Sequence, residues 1–122
     1  MPEIQERQTP DGLIRVEPFP GRVTVRRGEL VLATSDRAVV LRERDHLDRY
    51  YLPREDVRLD ALTPLDRSSF CPWKGTASDY WALPESPADP VAWSYPAAFD
   101  SVAGIRGRIA FYDEKLLVEA VG

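Results

Sequence analysis

The chain has one cysteine and one histidine, and its reactive side chains fall in a few short strings. Cys71 and Lys74 stand three residues apart in CPWKG, residues 71–75. A nearby cation favours the thiolate, the nucleophilic form of cysteine. A lone cysteine is equally suited to be a small packed hydrophobe at a strand entry. Lys74 offers an ammonium for an anionic ligand or an amine for covalent chemistry; otherwise it is a surface lysine. Glu43 closes a β-branched run, and Asp56 lies in PRED, residues 53–56. Either carboxylate, once enclosed, is a proton acceptor; otherwise Asp56 caps a turn or pairs with an arginine. His46 sits in the charged string RERDHLDR and is read as an exposed loop residue.

Aromatic residues surround these groups. Trp73 precedes Lys74, Tyr80 and Trp81 follow in SDYWAL, and Trp93 and Tyr95 stand in AWSYP. Neighbouring residues on a strand face opposite sides, so Tyr80 and Trp81 diverge while Trp93 and Tyr95 share a side. Tyr50 and Tyr51 also diverge; Tyr50 is assigned to the site, although RYYL does not fix the phase. Rings at such positions either pack a core or form a cage around a flat or cationic ligand. The candidate ligand-binding set is therefore Tyr50, Trp73, Tyr80, Trp93 and Tyr95. The candidate catalytic set is Cys71, Lys74 and Glu43.

These residues must be held by strands. Val23 and Val25 alternate with Arg22, Thr24 and Arg26, the period of a half-buried strand. Arg27-Gly28 supplies a turn into a return strand over 29–33, and 37–43 is a third β-rich run. DRYYLP is a short strand ended by Pro53, KGTASDYWAL a strand, and VAWSYP another. RIAFYDEKLLVEAV reads as a second hairpin with Asp113-Glu114 near its tip. AAFDSVAGI is compatible with one helical turn. Residues 1–20 hold four prolines and little periodicity, which predicts an extended or flexible arm ahead of one β domain over 21–122. No long segment has helical periodicity, so the fold class is mainly β: a pair of antiparallel sheets with at most one or two short helical turns.

At 122 residues the chain fits one domain. The net charge of −4, with interleaved signs, lacks the clustered basic stripe of a nucleic-acid binder. No apolar stretch approaches a membrane span. One cysteine and one histidine fall short of a four-ligand structural zinc site, and no cofactor or metal is expected. A single cysteine forms no internal disulfide, and the polar start MPEIQERQTPDG has no signal-peptide core. Both point to a cytoplasmic protein.

The strings VLATSDRAVVLRE, RYYLPREDV, CPWKGTASDYW, VAWSYP and IAFYDEK, in this order, resemble the bacterial and fungal family called domain of unknown function 427, over roughly residues 21–119. The resemblance implies the β-tent fold of Mss4-like proteins, two antiparallel sheets meeting at an angle. That group includes zinc-bearing proteins and the aromatic-caged drug-binding domain of cereblon; the zinc cysteines have no counterparts here. The family also carries a nucleotidyltransferase-like label, but the chain has no Gly-rich phosphate loop of the kind such enzymes use. Members often have a histidine directly before the motif cysteine; here that position is Phe70.

Three functions remain open. A binding domain would recognise a flat or anionic metabolite by aromatic stacking plus Lys74. An enzyme would use the same pocket, with Lys74 or Cys71 reactive and Glu43 or Asp56 accepting a proton; it needs at least one of Cys71, Lys74 and Glu43 enclosed, accessible and within reach of another. A protein-interaction domain would dock a partner, or a second copy in a homodimer, on a flat aromatic patch.

Overall fold

A computed structural model describes residues 4–10 and 12–122. Thirteen strands and three short 3-10 helices succeed one another: β1 Gln5–Thr9, β2 Gly12–Pro18, β3 Arg22–Arg27, β4 Leu30–Ser35, β5 Val39–Glu43, β6 Arg49–Leu52, η1 Arg54–Asp56, η2 Leu59–Ala61, β7 Thr63–Leu65, β8 Ser69–Cys71, β9 Gly75–Ala77, β10 Asp79–Ala82, β11 Pro90–Ser94, η3 Asp100–Ile105, β12 Ile109–Phe111 and β13 Leu117–Val121. The fold is mainly β, with antiparallel pairing in every sheet. One sheet has eight strands in the order β1-β2-β5-β6-β12-β11-β10-β7; β13-β3-β4 and β8-β9 form two smaller ones.

Strand alternation divides the large sheet into two faces. Leu52, Trp81, Ala92, Ile109 and Phe111 pack with Val23, Val25 and Leu32 of the three-stranded sheet. Tyr51, Tyr80, Trp93 and Ala110 look the other way, towards Ala77 of β9 and Val102 and Ile105 of η3. The large sheet is thus covered on one face by a sheet and on the other by η3 and the β8-β9 hairpin. The hairpin turns of β3-β4 and β8-β9 each use a glycine with positive φ, Gly28 at 60° and Gly75 at 112°, a backbone region costly for other residues.

Three expectations are corrected. The segment before residue 21 is not an arm: β1 and β2 form a hairpin that joins β5, and Ile14 and Val16 are buried. Its prolines escaped the ladder problem by position: Pro10 lies in the turn, Pro18 ends β2 and Pro20 follows it. Residues 1–3 and 11 of that predicted arm lie outside the described residues. The segment from 109 to 121 is not a hairpin either. β12 pairs with β11 and β6, whereas β13 pairs with β3. Between them the N–H groups of Lys115 and Leu116 both donate to the Tyr112 carbonyl, a tight turn that carries the chain to the other sheet. Finally, the helical turns number three among the described residues rather than one or two, since Pro53 and Arg58 each precede a 3-10 turn in addition to the one at Asp100–Ile105.

Candidate functional site

Register builds the floor of a cavity. Tyr51 pairs with Ala110, Ala110 with Trp93, and Trp93 with Tyr80, one row across β6, β12, β11 and β10. Ala110 leaves space between the larger rings. Tyr112, two residues beyond Ala110, stacks obliquely on Trp93 with centroids 4.5 Å apart. Tyr51 meets Trp93 edge to face at 6.2 Å, and the Trp93 indole N–H donates to the Tyr51 hydroxyl at 3.2 Å. Tyr95 follows β11, and the Tyr80 hydroxyl bonds Ser69 Oγ of β8 at 2.7 Å. Tyr51, Ser69, Tyr80, Trp93, Tyr95 and Tyr112, together with Glu43, His46, Leu47, Arg49 and Lys74, line a cavity of about 290 Å³.

The polar groups come from strand ends and turns. Lys74 sits in the β8-β9 turn, where its N–H donates to the Cys71 carbonyl and its own carbonyl accepts from Phe99 N–H. Its ammonium lies 2.6 Å from Oε1 of Glu43, the last residue of β5, and both side chains are about four-fifths buried (16% and 21% exposed). Arg49, first residue of β6, lies over Trp93 and Tyr112 at 5.4 and 5.7 Å. Glu114 holds its guanidinium through two bonds of 2.9 and 3.0 Å, with Asp113 at 3.4 Å. The hydrogen bond from Arg49 keeps the Glu114 carboxyl down at about 2.

Burial acts on the phenols. It pushes Tyr51 and Tyr95 far above the usual tyrosine value, and Cys71 beside Tyr95 adds to the effect there. Tyr112 is raised as well, first by burial and then by Tyr80. These rings therefore present neutral hydroxyls at physiological pH. Among the described residues, no protein group hydrogen-bonds the Tyr95 hydroxyl.

Tyr80, Trp93, Tyr95, Lys74 and Glu43 of the candidate sets thus converge. The others do not. Tyr50 is on the opposite face, edge to face with Phe19 at 5.2 Å; its neighbour Tyr51 occupies the pocket. Cys71 is half-buried against the same core, but it is not among the residues lining the cavity. Trp73 lines a separate crevice of about 30 Å³ that shares Glu43 and His46 with the main one, and Arg7 covers its ring at 5.7 Å. Asp56 lies elsewhere, accepting from Ser35 Oγ at 2.6 Å and from Arg37. His46 is exposed, as read from its charged string, yet it stands on the rim. Arg49 and Tyr112 were missed; each lies two residues from a floor residue, so the correct strand phase would have revealed both.

A family model described as Domain of unknown function (DUF427) matches residues 15–122. The chain belongs to the DUF427 family. No curated protein matches the chain. The DUF427 match begins inside β2 and so spans twelve of the thirteen strands, including every strand that contributes to the cavity. Among the described residues, no group of three or more His, Cys, Asp or Glu is arranged to hold a metal, and no helix is long and apolar enough to cross a membrane.

Proposed function

We propose that this DUF427 domain binds a small, flat, polar molecule in the cavity of the large sheet. The observation that carries this is the Lys74–Glu43 pair, 2.6 Å apart, inside a ring of Tyr80, Trp93, Tyr95 and Tyr112. Concave aromatic sites with a few fixed polar groups are the usual form of small-molecule pocket, and roughly 300 Å³ is the low end of their size range. A single ring system fits that space. The ring would stack on the aromatics, Glu43 would accept a hydrogen bond from it, and Lys74 and the Tyr95 hydroxyl would donate. Of the two ligand classes, flat and anionic, local charge favours the flat neutral one. Lys74 is matched by Glu43, and Arg49 by Glu114 and Asp113.

Native mass spectrometry of protein purified from its source would reveal a retained molecule, and a panel of one-ring heterocycles followed by NMR would map the site. Glu43→Gln should weaken the heterocycles that bind by roughly tenfold or more, through a charged hydrogen bond, and Tyr95→Phe by roughly fivefold, through a neutral one. Binding indifferent to both substitutions would sink the assignment.

The same pair supports a second reading, an enzyme in which Glu43 accepts a proton and Lys74 returns it. Cys71 is a weaker candidate because it does not line the cavity. Conversion of a bound heterocycle over time, abolished by Glu43→Gln while binding persists, would establish it.

A further inference from the structure

A second cavity, of about 320 Å³, lies at the other end of the same strands. Glu43 ends β5, Arg49 begins β6 and Tyr112 follows β12, so the aromatic pocket sits at one end of β5, β6 and β12. The second cavity is lined at the opposite end by Ala38 before β5, Pro53 after β6 and Arg108 before β12, with Pro18 and Phe19 from the end of β2. Phe19 is fixed there by its N–H, which donates to the Ala38 carbonyl at 2.9 Å. Pro18, Phe19, Ala38 and Pro53 make an apolar wall.

The polar groups on this cavity are unequal. Asp36 is taken by Arg22 at 2.8 Å, and Glu55 by Arg37 at 3.1 Å. Arg37 also holds Asp56 at 3.2 Å. Arg108 is different. Its Nη1 donates to the Arg37 carbonyl at 2.7 Å, which orients the guanidinium. Among the described residues, Arg7, Arg67 and Arg108 have no carboxylate within 4 Å; Arg7 and Arg67 lie over Trp73 and Tyr80, and Arg108 has neither acid nor ring. Burial and then the positive charge of Arg37 act against its charged form, and the more weakly felt charges of Glu55 and Asp56 offset them only in part. A half-buried guanidinium beside a second one, with a carbonyl as its one partner, gains most from an added anion. The apolar wall next to it adds a requirement for a hydrocarbon body.

We infer that Arg108, with the Pro18–Phe19–Ala38–Pro53 wall, forms a second ligand site that takes a small amphipathic carboxylate, the acid group on the guanidinium and the hydrocarbon on the wall. A planar carboxylate matches the fork of arginine donors. The site is independent of the aromatic pocket, so either can exist without the other.

The test uses the whole chain, hexanoate as probe, and hexanol and acetate as partial probes. Titration followed by backbone and arginine side-chain NMR should give saturable shifts for hexanoate at Arg37, Ala38 and Arg108. Hexanol, which lacks the charge, and acetate, which lacks the body, should each bind at least about tenfold more weakly. Arg108→Gln should weaken hexanoate by about tenfold or more, while Lys74→Met, in the aromatic pocket, should leave it unchanged. Shifts that map to the aromatic pocket or never saturate would overturn the proposal. So would acetate binding as well as hexanoate, or a folded Arg108→Gln variant that binds hexanoate normally. The wild-type map stands on its own if that variant fails to fold.

Discussion

Lys74 aims its ammonium at Glu43, and this bears directly on Cys71. Proximity in CPWKG suggested an activated thiol, but three residues of sequence do not specify where a side chain points. The cation is engaged by a carboxylate, so it is not free to serve the sulfur. Iodoacetamide should therefore label native Cys71 at the same rate in the wild type and in Lys74→Met; suppression of labelling by that substitution would reinstate the thiol as a nucleophile. Ser94 offers a second test. It is fully buried on β11, and among the described residues its Oγ has no hydrogen-bond partner. An unpaired buried hydroxyl costs free energy, so Ser94→Ala should leave stability unchanged or raise it by up to about 1 kcal/mol in urea unfolding. A loss beyond that would reveal a partner for the hydroxyl. The pocket residues were legible where spacing alone decided them: Trp93 and Tyr95 share a side, and Tyr80 and Trp81 part. Tyr50 and Tyr51 were not, because two adjacent tyrosines in a four-residue strand carry no contrast from which to read phase.

Strands were legible where apolar and polar residues alternate, as in β3, where Val23 and Val25 are buried. β1 escaped notice because QERQT is polar on both sides, as an edge strand can be. Yet it is integrated: Gln5 Oε1 accepts from the Gly104 N–H at 2.6 Å, tying β1 to η3. Deleting residues 1–10 should uncover Ile14 and Val16 and lower the melting temperature by several degrees, corresponding to more than about 1 kcal/mol. An unchanged melting temperature would mean that β1 is dispensable. The turn after β12 supplies another test. Glu114 has its carboxyl lowered from 4.5 to about 2 by Arg49. A depressed folded value stabilises above the unfolded one, so this contribution is complete above pH 4.5 and is lost as pH falls towards 2. Glu114 is about half exposed, which limits the pair to under about 1 kcal/mol. The acid-side loss should be smaller in Glu114→Gln than in the wild type; identical acid profiles would show the pair to be inert.

For the molecule as a whole, the two faces of the large sheet carry different chemistry: Leu52, Trp81, Ile109 and Phe111 pack against aliphatic residues of β3 and β4 on one, and the phenols of Tyr51, Tyr80 and Tyr95 gather around Trp93 on the other. The phenols give the fold an alkaline limit. Tyr51 and Tyr95 are raised above 10, so the folded state retains protons that the unfolded chain releases. Stability should hold below pH 10 and decline above it, with the tyrosinate absorbance of these two residues appearing only as structure is lost. Ionisation of all five tyrosines in a still-folded protein would contradict this. Sheet membership was the part least legible in the sequence, because β6 and β12 are joined by register rather than by proximity. That pairing, Tyr51 with Ala110 and Leu52 with Ile109, also governs when the site can exist. During synthesis, Glu43, Arg49 and Tyr51 emerge long before Tyr112, and the floor between them is missing until β12 arrives. The nascent chain must carry its half-built aromatic surface uncovered for more than fifty residues of elongation, a window in which premature sheet pairing or chaperone capture competes with folding.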